Sequence, residues 1–253
     1  MKTVAEQAKP SKGAQFLSAF FAELNASHIP YCVVGSNADA LPEVPENDID
    51  IVCDQASFHE MSFIIESISR KFDGVPAQLV RYKHCSFRYD VWLTDVKVSQ
   101  YVRLDITTDF IWRARLLMRA DKILSSRKKC IQADNKTLLY KAHPAHEFEY
   151  YLIKKIIKNS LGQSEQEHLK ACFSTFPDEC KEIIGQYFEE KQKSIIESFV
   201  FNECNNKNIP WSALEKSLYR KIPGRNSSIL VREFWRLVMR IAQPVGFTTT
   251  ILG

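Results

Sequence analysis

Three aspartates have a type and a spacing that suit metal chemistry. Asp48 and Asp50 lie two residues apart in the segment 48–52, which alternates polar and apolar residues as a half-buried strand does. Residues two apart on a strand point to the same face, so both carboxylates can reach the same cations. Asp105 lies in a later strand-like segment, 101–107, and can complete a set of three carboxylates. Such a set suits a pair of divalent cations that assists phosphoryl transfer.

Oxygen ligands indicate Mg²⁺, or Mn²⁺ in its place, as the cation. Mg²⁺ prefers carboxylate oxygens and shares its remaining positions with water and substrate phosphate. Asp105 is chosen as the third ligand from strand order alone, and Asp90 and Asp95 also lie near strand-like segments. A single Asp-x-Asp pair can also be solvated on an exposed strand face, and this alternative stays open.

A turn that could hold phosphate precedes the aspartates. The β-branched and aromatic segment 29–34 stops at Gly35 and Ser36, where glycine allows the backbone a close approach. We expect the exposed amides and the Ser36 hydroxyl to donate hydrogen bonds to the phosphates of a nucleoside triphosphate.

Two lysines further along the chain are candidates for the same substrate. Lys154 and Lys158 are four residues apart in the helical segment 147–158, so they lie on one face and could neutralise a triphosphate or a leaving pyrophosphate. The alternative is a solvated basic face. Tyr150 and Tyr151 could stack on a base, although residues at this spacing more often belong to a core.

The elements that must position these residues change character along the chain. Helical spacing over 14–24 and 58–72 is interleaved with strand-like segments, at 29–34, 48–52, 78–82, 86–92 and 101–107. From Asp109 onward the periodic segments are all helical, at 111–124, 147–158, 165–173, 178–200, 211–221 and 229–241. The stretch 125–145 is polar and irregular, which favours a boundary there. The sequence predicts an α+β fold, with a catalytic domain over 1–130 and a helical domain over 131–245.

Composition restricts the class of protein. With 45% hydrophobic and 25% charged residues, the chain can bury a core. Its net charge of +4 is modest and does not by itself imply nucleic-acid binding. No apolar run approaches the ~20 residues needed to cross a bilayer, so we expect no membrane partner. The N-terminal segment 1–13 lacks the apolar core of a signal peptide, which favours a cytoplasmic location.

The cysteines fit the same compartment. The chain has seven, an odd number, and none forms a CxxC pair. This pattern argues against a disulfide framework and against a zinc site.

The turn and the aspartates together resemble a known signature. Val34-Gly35-Ser36, followed by Asp48-Ile49-Asp50-Ile51, looks like the motif of the nucleotidyltransferase (polymerase-beta-like) superfamily. The resemblance covers residues 14 to about 110, and Asp105 matches the family's third carboxylate. It implies a mixed-sheet domain, a helical domain packed against the nucleotide, and transfer of a nucleoside monophosphate from ATP or another triphosphate to a hydroxyl acceptor. The acceptor is not identified by the motif.

Two alternatives to nucleotidyl transfer onto an unidentified hydroxyl acceptor remain. The same fold could bind a nucleotide without chemistry, or regulate an attached kinase-like domain. Modification of nucleic-acid ends is disfavoured, because phosphate-backbone binding requires several Lys and Arg on one face and the sequence has no dense basic stripe.

The last eight residues suggest a further domain. The segment 246–253 has the composition of a β-strand that runs into a glycine, and it resembles the first strand of a P-loop kinase. With this segment, the chain resembles the N-terminal half of bacterial proteins that join a nucleotidyltransferase-like half to a thymidylate-kinase-like half. We expect a longer protein, and no kinase activity in the chain as given, because the phosphate-binding lysine of that motif is absent.

Overall fold

The computed structural model describes most of the chain between residues 11 and 222. The described residues are 11–35, 48–82, 86–94, 100–113, 115–131, 137–201 and 209–222, with the single positions 227, 230, 231, 234 and 238. Helices within these ranges are α1 (Lys12–Ala26), α2 (Phe58–Lys71), α3 (Ala120–Ser125), α4 (Pro144–Lys158), α5 (Gln163–Thr175), α6 (Pro177–Tyr187), α7 (Glu190–Val200) and α8 (Trp211–Lys221). Strands are β1 (Tyr31–Val34), β2 (Ile49–Cys53), β3 (Gly74–Tyr82), β4 (Ser86–Leu93), β5 (Gln100–Thr107), β6 (Phe110–Trp112), β7 (Arg115–Met118), β8 (Lys128–Ile131) and β9 (Leu138–Lys141).

Among the described residues, seven strands form one mixed sheet, in the order β3-β4-β5-β2-β1-β9-β8. Strands β2 and β5 pair in parallel, as do β1 and β9, and the other neighbours are antiparallel. Parallel neighbours require a long connection, which α2, β3 and β4 supply between β2 and β5. A mixed sheet followed by helices confirms the predicted α+β fold.

The two faces of the sheet belong to different cores. Ile49 and Ile51 of β2 pack with Phe20 of α1 and Ile65 of α2. The residues that alternate with them point the other way, so Val52 joins a second core that includes α3 and α4. Alternation of side chains along β2 therefore places the aspartates on the α4 side.

Helix α4 is the buried centre of the helical half. Pro144 begins it, where a missing amide costs nothing, and Asn159 ends it in the left-handed conformation with φ of 52°. Phe148, Leu152 and Ile156 are fully buried in the core that α4 shares with β1 and β2. Such packing fixes the helix, and therefore its polar side chains, against the sheet.

The predicted helix over 111–124 is wrong. The chain there forms the hairpin β6–β7 and then the short helix α3. Arg113 turns the chain with a positive φ of 47°, and the side chain of Asp109 accepts a hydrogen bond from the first amide of α3, that of Ala120 (2.9 Å). The apolar spacing fits either a helix or a hairpin, and the pairing of aromatic and aliphatic residues across β6 and β7 selects the hairpin.

The predicted single helix over 178–200 is also wrong. It is divided into α6 and α7 at Phe188, whose φ of −130° and ψ of 145° are extended. Burial of the Phe188 ring in the helical core accompanies this break.

The prediction that the stretch 125–145 is irregular is wrong, because β8 and β9 lie within it and extend the sheet there. Strand β9 pairs in parallel with β1, and the boundary placed after residue 130 falls within β8. The division into domains stays a prediction. The segment 246–253 and most of 229–241 lie outside the described residues. Among the helices that the structure describes, none combines the length and apolar character needed to span a bilayer.

Candidate active site

The three aspartates lie on one face of the central strands. Asp50 on β2 is the direct register partner of Asp105 on β5, in the parallel pairing. Asp48 directly precedes β2, two residues from Asp50, so its side chain has the same direction. All three residues are partly exposed. The structure therefore brings together the carboxylates that the sequence singled out.

Lys154 of α4 binds one of these carboxylates. Its Nζ lies 2.6 Å from Oδ2 of Asp50, and both side chains are largely buried, with 15% and 17% exposed. Burial alone would lower the pKa of Lys154, but the negative charge facing it outweighs burial and raises the pKa. The lysine is therefore a permanent cation beside Asp50.

Tyr150, four residues before Lys154 on α4, is subject to the same charges. Burial raises the pKa of its phenol, the charge of Lys154 opposes this effect, and the charges of Asp50 and Asp105 add to it. Tyr150 is thus neutral at pH 7, and the negative charge that Lys154 contacts is that of Asp50. Both Asp50 and Asp105 consequently lie within electrostatic reach of α4.

Arg103 holds a second carboxylate of the set. Its Nη1 donates to Oδ1 of Asp48 (2.9 Å) and its Nε donates to Oδ1 of Asp90 (3.0 Å). Tyr101 donates its hydroxyl to the same oxygen of Asp90 (2.5 Å), and Arg88 lies 3.0 Å from Oδ2. Burial would raise the pKa of Asp90, but these hydrogen bonds and charges outweigh it, and the pKa is lowered.

The surroundings of Asp90 bear on the choice of the third metal ligand. Asp90 is enclosed by two guanidinium groups and a phenol, whereas Asp105 lies beside Asp50 in the sheet. The register therefore favours Asp105 over Asp90. Asp95, the other candidate, lies outside the described residues.

Gly35 forms the expected turn, but its amide has an internal partner. The residue has a φ of +106°, and its N–H donates to Oε1 of Glu147 on α4 (2.7 Å). A Cβ at this position would lie 3.2 Å from the hydroxyl of Tyr151. We had expected the amide of Gly35 to face phosphate, but it points to α4. Ser36 lies outside the described residues.

The two candidate lysines have different surroundings. Lys154 contacts Asp50, whereas Lys158 is exposed at the end of α4. The charge of Lys158 acts on Glu165 of α5, a residue that also pairs with Lys155. The structure thus brings Lys154 to the aspartates and places Lys158 toward α5.

Two residues of the site were missed from the sequence. Arg103 is two positions before Asp105 on the same strand, and this alternation is a signal that could have identified it. Glu147 is 112 positions from Gly35, and no spacing rule connects them.

Comparison with known proteins gives matches among solved structures only. No protein-family model matches the sequence, and no curated protein matches it. The chain is similar to ANT(2")-Ia in complex with adenylyl-2"-tobramycin, at 10% identity over 70% of this chain and 100% of that chain, with a TM-score of 0.45. It is similar to an antigenic nucleotidyltransferase-like protein from Paracoccidioides brasiliensis, at 14% identity over 87% and 97% of the two chains, with a TM-score of 0.42. It is also similar to JHP933 from Helicobacter pylori, at 12% identity over 90% and 96%, with a TM-score of 0.36. At such identities and scores, nothing about activity passes from those proteins to this chain.

Proposed function

We propose that the chain transfers a nucleoside monophosphate from a nucleoside triphosphate to a hydroxyl acceptor and releases pyrophosphate. The observation that carries the proposal is the pairing of Asp50 with Asp105 across β2 and β5, with Asp48 two residues away on the same face. Three converging carboxylates are the ligands that a pair of Mg²⁺ or Mn²⁺ ions would take.

The donor set fits divalent cations. The three aspartates supply only oxygen donors, and two cationic side chains, Lys154 and Arg103, already bind Asp50 and Asp48. The face thus attracts positive charge. When bound, the two ions would lower the pKa of the acceptor hydroxyl and stabilise the leaving pyrophosphate.

The chain's own residues supply the remaining steps. The acceptor oxygen forms a bond to the α-phosphorus while the bond from this phosphorus to the bridging oxygen breaks, and pyrophosphate leaves with the electron pair. Asp105 accepts the proton of the acceptor hydroxyl. Lys154, permanently charged, exchanges Asp50 for the phosphate oxygens and neutralises the charge that develops on them.

Further contacts to the nucleotide are proposed at the turn and at the end of α4. Gly35 provides the left-handed backbone conformation that turns the chain after β1, and Ser36 follows it with a hydroxyl donor. Lys158, one helical turn after Lys154, is exposed and could reach the outer phosphates.

One observation favours a second function, nucleotide binding without transfer. Asp48 and Asp50 are each bound by a cationic side chain of the protein itself. These side chains contact carboxylate oxygens that a metal ion would need. In that case the chain would bind a nucleotide and release no pyrophosphate.

The experiment separates these two functions. The full chain is incubated with Mg²⁺, each α-labelled nucleoside triphosphate and a cell extract, and labelled product and pyrophosphate are measured. Transfer predicts both signals, their loss in Asp50→Asn and their retention in Asp121→Asn. Asp121 is the control because it is an exposed residue of α3 whose partner is Arg119. Saturable nucleotide binding by calorimetry without pyrophosphate supports the second function. Absence of labelled product, of pyrophosphate and of nucleotide binding would refute both functions.

A further inference from the structure

Helices α4 and α5 bring a second, chemically different set of ligating atoms together. Oε1 of Glu147 lies 3.0 Å from Nε2 of His168, and this nitrogen lies 3.8 Å from Sγ of Cys172. The three atoms all lie within 4.8 Å of one another. His168 and Cys172 are four residues apart on α5, so they share the face that meets α4.

The set is enclosed by the protein. Glu147 and Cys172 are 7% and 6% exposed, and the side chain of His168 is 13% exposed. The ring of Tyr151 packs against His168, with centroids 4.8 Å apart. The three groups already pair with one another at this depth, and their close spacing would let one cation bind all three at once.

We propose that Glu147, His168 and Cys172 bind a divalent cation of the zinc class. An imidazole, a thiolate and a carboxylate are the ligands that Zn²⁺ prefers, and three of them leave one tetrahedral position for water. The aspartate face offers oxygen alone and suits Mg²⁺, so the two sites select different metals. This site does not depend on the proposed nucleotidyl transfer.

Binding changes the protonation of two ligands. Cys172 gives up its thiol proton, because the thiolate is the ligand. Nε2 of His168 must present a lone pair to the cation, so the imidazole proton lies on Nδ1. Without the cation, Nε2 is within hydrogen-bond distance of Glu147, which requires the proton on Nε2 if Glu147 is ionised.

The cation would also act on the neighbouring turn. Oε1 of Glu147 accepts the Gly35 amide (2.7 Å), so a cation that fixes Glu147 fixes the end of β1. The site therefore joins α4, α5 and the Gly35 turn.

The pattern of cysteines had argued against zinc, and the reason for the difference is geometric. Only one cysteine takes part, and its partners come from two helices, so no CxxC pair is required. His168-x-x-x-Cys172 on a helix is the signal that the sequence carries for it.

Cobalt titration of the chelator-treated full chain tests the proposal. Co²⁺ is expected to give tetrahedral visible bands and a near-ultraviolet thiolate-to-cobalt band at one equivalent, both removed by Zn²⁺. Cys172→Ser should abolish the thiolate band. Cys180→Ser, a buried thiol on α6, and Asp50→Asn at the aspartate face should keep it. His168→Gln should weaken Co²⁺ binding at least about tenfold, since even residues behind a ligand have effects of this size.

A parent chain without the thiolate band, or a Cys172→Ser variant that keeps it, would overturn the proposal. Circular dichroism checks that each variant is folded. If neither ligand variant folds, X-ray absorption of the zinc-loaded parent decides, because the proposal requires one sulfur neighbour per zinc. Finding no sulfur neighbour rejects it.

Discussion

The ammonium group of Lys154 lies 2.6 Å from Oδ2 of Asp50, so a helix that follows the sheet supplies the counter-ion for its central strand. This ion pair has two consequences that oppose each other. Lys154 competes with a divalent cation for Asp50, and it also carries the positive charge that a triphosphate would need.

Lys154→Met should separate the two effects. Without nucleotide, the variant should bind Mg²⁺ more tightly, by roughly tenfold, because the competing ammonium is gone. Its affinity for nucleoside triphosphate should fall by roughly tenfold or more, because a charged donor to phosphate is lost. Calorimetry measures both. Lys193→Met, which removes a lysine paired with Glu190 within α7, should change neither affinity. A variant that binds Mg²⁺ more weakly than the parent would contradict the competition.

Substitution of the aspartates should show that they act as a unit. Each of Asp48→Asn, Asp50→Asn and Asp105→Asn should lower the single-turnover rate of pyrophosphate release at least about 10³-fold. The double variant Asp48→Asn with Asp105→Asn should be scarcely worse than either single variant, because one missing ligand already disables the set. If the fold-losses in rate of the two single variants instead multiplied in the double variant, the residues would contribute independently.

Gly35→Ala should lower stability because the backbone is left-handed at this position. A φ of +106° is unfavourable for alanine, and the new Cβ would lie 3.2 Å from the Tyr151 hydroxyl. We expect a loss of about 1–3 kcal/mol in the free energy of unfolding, measured by urea denaturation. Gly185→Ala in α6 is the matched control, since its Cβ would meet only Lys193 at 3.5 Å. It should gain up to about 1 kcal/mol from helix propensity, and an equal loss at both sites would disprove the argument from φ.

Asp90→Asn should alter the dependence of stability on pH. The pKa of Asp90 is lowered from 3.8, since hydrogen bonds from Tyr101 and Arg103 outweigh the opposing effect of burial. A carboxyl of this kind stabilises fully above its unfolded pKa, and its contribution is lost as the pH falls through the folded value. The variant should be less stable than the parent by about 1–2 kcal/mol at neutral pH.

The difference between parent and Asp90→Asn should shrink as the pH falls below 3.8. Urea denaturation at several pH values measures it. Asp121→Asn, whose carboxyl is 66% exposed, should differ from the parent by less than about 1 kcal/mol throughout. A difference for Asp90→Asn that stays constant with pH would show that its charge is not the cause.

Local periodicity was enough to predict the face on which the aspartates lie. A strand has a period of two, so the direction of Asp48 and Asp50 follows from their spacing once β2 is recognised. The same argument did not extend to 111–124, where the apolar spacing fits a helix or a hairpin. Pairing between Ile111 and Leu116 decided for the hairpin, and such pairing is not visible in local spacing.

Contacts between distant segments could not be predicted from spacing at all. Lys154 was chosen from the sequence as a phosphate ligand, but its contact with Asp50 depends on how α4 packs on the sheet. The same holds for the Gly35 amide, which was expected to face phosphate and instead donates to Glu147. Both contacts depend on the burial of α4, most of whose residues between Ala145 and Ile157 are buried.

The parallel pairing of β2 with β5 also has a consequence for how the protein forms. Arg103 and Asp48 are 55 positions apart, and Lys154 and Asp50 are 104 positions apart, so the site depends on contacts of high sequence separation. Closing such long loops is slow, because their entropy is lost before the contacts stabilise them. A nascent chain in which only α1, β1 and β2 have been synthesised contains Asp48 and Asp50 but lacks their partners, Arg103 and Lys154. The site is completed only when α4 packs on the sheet, so the proposed activity would require this long-range contact to have formed.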